Sequence, residues 1–299
     1  YKRQKLIRAS NPLVGIGWMI LTGFLFVGVT AVVKHGAQEL PAAQSAFLRY
    51  FIGLVFLVPM IKPIREAHLT NRQIKLFCVR GVAHTYGVIL WFYAMTRITI
   101  AEVTAMNYMT PVYVTLGAAL FLGERVAVRR LIAVFVAFVG ALIVLRPGIR
   151  EVTDGHIAMI ATALFFSISY LTAKMMSDEV PASVVVGMLS ITVTIGLAPF
   201  ALAVWQPPTS AEVFWMAVIA VLATAGHYTM TLAFASAPVS VTQPVTFLQL
   251  IWSVAIGVLL FAEPIDGWVV VGGLVIIAST TFIAIREAML RREARKETI

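Results

Sequence analysis

The chain reads as an all-α polytopic membrane protein: ten transmembrane helices built as two inverted five-helix repeats, residues 1–150 and 151–299. Three observations predict this fold. First, 60% of the 299 residues are hydrophobic, only 12% are charged and the mean hydropathy is +0.91; a soluble domain carries about twice that share of charge. Second, the halves repeat each other. Sliding residues 15–59 forward by 140 leaves eleven of 45 unchanged, among them Thr22/Thr162, Phe26/Phe166, Lys34/Lys174, Pro41/Pro181 and Pro59/Pro199, and at a shift of 139 Glu124 coincides with Glu263. Third, each half carries an odd number of long apolar stretches, so the second half must enter the bilayer upside down. Inverted repeats of this kind build two related gates around one central site in secondary transporters, which makes solute transport the leading expectation.

About 20 apolar residues cross the hydrocarbon core as a helix. Span 1, Leu13–Val33, opens on Ser10-Asn11-Pro12, a capping side chain and a proline suited to a first helical turn. Span 2, Ala43–Ile61, and span 7, Ser183–Val204, open alike on Leu40-Pro41 and Val180-Pro181. Pro59 and Pro199 sit near the far ends of those two spans, where a proline either terminates a helix or serves as a gating hinge. Spans 3 (Ile74–Thr96), 4 (Thr99–Phe121) and 5 (Val128–Leu145) complete the first half. Spans 6 (Ile157–Met176), 8 (Val213–Phe234), 9 (Ser240–Phe261) and 10 (Gly267–Ile285) complete the second. The first apolar run is full length without a convincing cleavage site, so no signal peptide is expected. With Cys78 the sole cysteine, a disulfide within the chain is impossible.

The net charge of +9 is a matter of orientation here, with no nucleic acid implied. With the N-terminus inside, seventeen Lys and Arg fall on the inner side and four (Lys34, Arg97, Arg146, Arg150) on the outer, while Arg49 and Arg80 lie within spans. The positive-inside rule therefore places both termini in the cytoplasm. Trp205, Trp215 and Trp268 then gather near the outer surface as interfacial anchors.

Polar residues inside the spans carry the functional information. Span 5 has no polar side chain from Leu131 to Leu145, and span 10 is nearly as bare from Trp268 to Ala278, so both suit a lipid-facing position. In span 9, Thr242, Thr246, Gln249 and Ser253 share one narrow face. At the 139-residue shift their counterparts are Val103, Asn107, Thr110 and Val114. Two facing polar stripes describe a central cavity, although interhelical hydrogen bonding is the bland alternative. In span 3, Arg80, His84, Gly87 and Trp91 share a face, with Trp91 expected above His84 and room left over Gly87. His227, with Thr224 and Thr231, forms a comparable face in span 8. Tyr50 joins this set from span 2, and Arg49 beside it reads better as a structural anchor. Each histidine is either a hydrogen-bonded core residue or a cavity group.

What is missing narrows the chemistry. The single acidic residue near a span interior is Glu102, in the first turn of span 4. Carriers of cations and proton-coupled carriers need a buried carboxylate, so the expected substrate is neutral, zwitterionic or anionic. Any proton coupling falls to His84 or His227. There is no HExxH, GxSxG or P-loop and no pair of intramembrane aspartates, so no catalytic residue, metal or cofactor is expected.

The stretch Met109-Thr110-Pro111-Val112-Tyr113 through Phe121-Leu122-Gly123-Glu124, followed by an apolar helix, resembles the EamA-type repeat of the drug/metabolite transporter superfamily. Phe247–Glu263 with span 10 resembles it again, as does the Arg49-containing span 2, so the resemblance covers the whole chain. Within the superfamily the chain looks most like the aromatic amino acid exporters of bacterial inner membranes. The resemblance implies a basket formed by spans 1–4 and 6–9, with spans 5 and 10 outside. Glu124 matches the family's Gly-Glu motif; in the second half Ala262 stands in place of the glycine and Pro264 follows, which implies a different turn. Both glutamates read as helix-start residues, where negative charge meets a helix N-terminus.

The expectation is thus an alternating-access carrier exporting aromatic or other large neutral amino acids by facilitated diffusion. A nucleoside or sugar-conjugate carrier and a non-transporting membrane sensor are the alternatives. Tyr50, Trp91, Tyr108, Phe247 and Trp252 supply ring-stacking surface or ordinary packing. His84, Asn107, Thr110 and Gln249 are placed to receive the amino and carboxylate groups, with His227 and Thr246 completing the cavity set. The partners are a small molecule and the lipid bilayer. Because both repeats lie in one chain, a monomer suffices.

Overall fold

The computed structural model describes residues 12–36, 39–110, 112–113, 117, 128–146, 148–149, 151–177, 179–236, 245 and 248–296. Every regular element among them is helical. In chain order these are α1 (Pro12–Gly36), α2 (Ala42–Gly53), a 3₁₀ segment (Leu54–Met60), α3 (Ile61–Glu66), α4 (Asn71–Met95), α5 (Ile100–Asn107), α6 (Val128–Leu145), α7 (Asp154–Ser177), α8 (Ala182–Ala203), α9 (Ser210–Ser236), α10 (Leu248–Phe261) and α11 (Gly267–Lys296). Five stretches are long and apolar enough to cross a membrane: Leu13–Gly36, Asn71–Met95, Asp154–Thr172, Ser183–Ala203 and Ser210–Met230. Shorter apolar helices occupy Ala42–Val58, Ile132–Leu145, Leu248–Phe261 and Gly267–Ser279.

Local chemistry sets several boundaries. Thr70 and Thr99 begin α4 and α5 with capping boxes, each accepting from the backbone three residues on while Gln73 or Glu102 reaches back. Each such cap contributes about 1 kcal/mol. Glu102 is thereby absorbed into helix capping and lies buried beside His156, 3.4 Å away. Span 2 is not one continuous helix. It tightens to 3₁₀ over Leu54–Met60, the stretch containing Pro59, because proline lacks an N–H and crowds the carbonyl four residues before it. Pro199 behaves differently: α8 runs past it to Ala203, so the proline occupies the last turn of an intact helix. Span 4 also departs from a single long helix. Regular α5 stops at Asn107, and Tyr108 and Met109 donate to carbonyls only three residues back, just ahead of Pro111.

Packing follows the repeat. α1 lies along α9 and α4 along α7; α6 pairs with α11, α2 with α8 and α5 with α10. Exchanging the two halves returns the same five pairings. α6 and α11 turn apolar side chains outward, with Ile132, Phe135 and Leu142 on one and Trp268, Val271 and Leu274 on the other all more than a third exposed. Hydroxyl pairs tie the helices inside, Thr22 to Thr229 at 2.8 Å and Thr104 to Ser253 at 2.7 Å. Each contributes about 0.6 kcal/mol in a membrane bundle.

Ion pairs join elements at the two ends. At one end Lys34 meets Glu263 and Arg146 meets Asp266; at the other, Arg72 meets Glu179 at 2.7 Å. Glu263 does serve a helix N-terminus, but that of α5 rather than of the helix it precedes: its Oε2 accepts from the Ile100 N–H at 3.1 Å. The turn that aims it there has Ala262 at φ 51°, the left-handed region that glycine enters more easily. Its carboxylate folds over Gly257, where a Cβ would stand 2.5 Å from Oε2. Glu124 and the loop around it lie outside the described residues.

Candidate functional site

α4 carries Arg80, His84 and Gly87 on one face, turned toward α7 and α8. His84 is buried at 5% exposure, with Nε2 2.8 Å from the Tyr50 hydroxyl and Nδ1 3.1 Å from the Ser169 Oγ. A neutral imidazole donates through one nitrogen and accepts through the other, so the chain Tyr50–His84–Ser169 is polarised in one of two directions according to the tautomer. The Phe166 ring stacks on His84 at 4.9 Å, and Tyr170 stacks on Phe166 at 6.2 Å. Gly87 permits this approach: a Cβ there would stand 2.6 Å from Phe166 Cδ1. The space expected over Gly87 is therefore filled by Phe166. Trp91 does not lie above His84. It is two turns away, edge-on to Phe92 at 5.4 Å and partly buried.

Tyr170, beyond the Phe166 ring on α7, is 44% exposed. His227, partly buried, meets Phe26 edge-on at 5.1 Å. Phe26 and Phe166 are the same residue of the repeat, and the two histidines lie on corresponding helices. Each phenylalanine thus contacts a histidine of the opposite half.

Two guanidinium groups border the same region. Arg80 is 6% exposed; Nη1 donates to the Val185 carbonyl at 2.9 Å, and its Nε has no hydrogen-bond partner. Arg49 lies over the Tyr50 ring at 4.1 Å.

The remaining expected residues form a second group on α5 and α10. Asn107 and Thr110 face each other, Thr110 Oγ1 reaching Asn107 Oδ1 at 3.5 Å, and Tyr108 is buried against α10 at Leu250. Gln249 leans over Gly23 of α1, its Cγ 3.2 Å from where a Cβ would be. Trp252 stacks on Phe24 of α1 at 4.4 Å, with a buried Nε1 that lacks a partner. Thr246 and Phe247 lie outside the described residues. The structure therefore joins Tyr50 to His84, sets His227 against Phe26, and places Asn107, Tyr108, Thr110, Gln249 and Trp252 along the α1–α5–α10 contact. Three residues of the first group were not singled out as site residues: Phe166, Ser169 and Tyr170. The signal was present, since Phe166 recurs as Phe26 and α7 carries several hydroxyl groups, but the α4–α7 pairing is invisible along the chain.

A hydrogen-bonding imidazole, two hydroxyls, stacked rings and two guanidinium groups offer hydrogen bonds, ring surface and positive charge. The sequence pattern of the EamA-like transporter family matches residues 13–146 and again 153–285. The chain belongs to the EamA-like transporter family. It is accordingly a multi-pass membrane transporter whose substrate is a small molecule. Among similar EamA-type proteins, a riboflavin transporter of Rhizobium johnstonii is 28% identical over 97% of this chain and 95% of its own length. A riboflavin transporter of Vibrio cholerae is 28% identical over 72% of this chain and 74% of its own. A pseudopaline exporter of Pseudomonas aeruginosa is 32% identical over 44% of this chain and 46% of its own. In fold, a solved crystal structure superposes with a TM-score of 0.57 over 93% of this chain and 97% of the other, at 16% identity.

Proposed function

We propose that this EamA-type transporter is a secondary carrier of planar aromatic metabolites, working by alternating access between inverted five-helix units at residues 1–150 and 151–299. Ten spans, both termini on the cytoplasmic side of a bacterial inner membrane and a functional monomer belong to the same reading, as do Pro59 and Pro199 as hinge positions. The observation that carries it is His84, held by Tyr50 and Ser169 and stacked on Phe166, in a region where no helix brings a carboxylate. Two substrate types fit. The relatives' names favour riboflavin. The Arg49 and Arg80 guanidinium groups near His84 favour export of aromatic amino acids, whose carboxylate they would receive.

Without an intramembrane carboxylate there is no strong proton site, and facilitated diffusion is the simplest coupling. Purified protein in liposomes loaded with labelled riboflavin or tryptophan tests both points. The expected result is downhill flux of at least one compound without a pH difference or membrane potential. Flux of neither would defeat the carrier reading. Uphill transport driven by a proton gradient and lost in His84→Gln or His227→Gln would replace facilitated diffusion with histidine coupling. Orientation is tested by replacing Cys78 and labelling single cysteines: Arg129→Cys should resist impermeant thiol reagents from outside, and Thr209→Cys should react.

A further inference from the structure

Among the described residues the charge around Arg80 is unbalanced. Arg80 and Arg49 lie on α4 and α2, which pack chiefly against α7, α8 and α9. α2, α4 and α8 contain no Asp or Glu at all, and those of α7 and α9, Asp154 and Glu212, sit in their first turns. Asp154 is fifteen residues from Ser169, about 22 Å along a helix. Glu179, at the turn between α7 and α8, is already engaged by Arg72 and Gln73. Among the described residues Arg80 donates to the Val185 carbonyl, which satisfies one of five guanidinium N–H groups, and its buried Nε has no partner. A buried cation without a counter-charge is costly, and an intramembrane one marks a ligand path more often than a brace.

We infer that Arg80, backed by Arg49, receives a negatively charged group of the transported molecule. The inference rests on the aromatic-carrier reading and narrows it: the substrate is an aromatic metabolite bearing an anionic group, a carboxylate or a phosphate. The ring lies against Phe166 and Tyr170, the Tyr50–His84–Ser169 chain takes its polar edge, and the guanidinium fork takes its charge. A planar fork with an unused Nε–H suits a two-oxygen anion, which lysine would meet only as a point charge.

Ligands paired by charge test this. Purified wild type, Arg80→Gln, Arg80→Lys and Arg49→Gln are assayed for binding of tryptophan against tryptophanamide and of riboflavin 5′-phosphate against riboflavin. The wild type should prefer the anionic member of at least one pair by about tenfold. Arg80→Gln should bring that preference close to unity while still binding the uncharged member, and Arg80→Lys should keep part of it. A merely structural strap to Val185 would weaken both members of a pair equally. Preference retained in Arg80→Gln, or absent in the wild type, overturns the inference and leaves the aromatic carrier standing. If Arg80→Gln does not yield folded protein, Arg49→Gln decides, and an unchanged preference there overturns the inference as well. A wild type that binds none of the four compounds fails the carrier reading itself, and the inference with it.

Discussion

Lys34, in the last turn of α1, and Glu263, in the turn between α10 and α11, form an ion pair that joins the two halves of the chain. Lys34 also donates to the Ile98 carbonyl at 3.2 Å, and the Glu263 carboxylate accepts from the Ile100 amide. One carboxylate therefore fastens α1, the start of α5 and the end of α10. The side chains are only 16% and 9% exposed. Removing one partner from a largely buried pair costs about 3 kcal/mol. Glu263→Gln and Lys34→Met should each lower thermal stability in detergent, and the reversed pair Lys34→Glu with Glu263→Lys should recover part of the loss. Single variants as stable as wild type would mean that the pair contributes nothing.

Gly257 is where that carboxylate folds back. Gly257→Ala should push Glu263 aside, so its destabilisation and that of Glu263→Gln should be non-additive, with coupling above about 0.5 kcal/mol in a double-mutant cycle. Strict additivity would refute the contact.

The pair has counterparts in the other half: Lys34 recurs as Lys174 one repeat later, and Glu263 answers to Glu124 one repeat earlier. Alternating access by related units predicts that this second pair closes the opposite face when the first is broken. In a background lacking Cys78, Lys174→Cys and Glu124→Cys should cross-link faster when Glu263→Gln is added. A rate indifferent to Glu263 would argue against reciprocal closure.

Around His84, Ala in its place, Tyr50→Phe and Ser169→Ala should each reduce flux by about tenfold, since a buried partner left unsatisfied costs about 1–3 kcal/mol. Val136→Ala on the outward side of α6 is the control, with an effect within about 0.5 kcal/mol on stability and little on flux. Equal losses at all four positions would show that the polar chain is only packing.

At the other end of the bundle, hydrogen bonds from Arg72 and Gln73 hold the exposed Glu179 carboxyl below its ordinary value of 4.5. A carboxyl depressed in the folded state stabilises above its unfolded value, and the contribution disappears as pH falls through the folded value. Wild type should therefore lose more stability than Arg72→Gln on acidification below about 4.5. Parallel melting curves for the two proteins across that range would refute the linkage.

The repeat and the apolar faces of α6 and α11 were legible in the sequence, because hydropathy and identity are one-dimensional signals. His84 and Tyr50 were legible too, as polar groups where lipid-facing residues would be apolar. Ser169 was not, since one serine among the hydroxyl groups of α7 looks like ordinary interhelical glue until its partner is known. Trp91 was misjudged for a geometric reason: sharing a face with His84 at seven residues' separation still leaves two turns between the rings. The twin prolines were read as equivalent, yet the backbone tightens around Pro59 and runs on past Pro199. Identical residues in a duplicated segment need not meet identical neighbours.

Crossed pairing of Phe166 with His84 and of Phe26 with His227 bears on how relatives of this protein can be recombined. A chimera joined near residue 150 inherits each imidazole from one parent and the ring against it from the other. Ligand preference should then follow neither parent. To transplant it, the donor must supply the segments around 26 and 227 together, or those around 84 and 166 together, so the natural unit of exchange is a helix pair drawn from opposite ends of the gene.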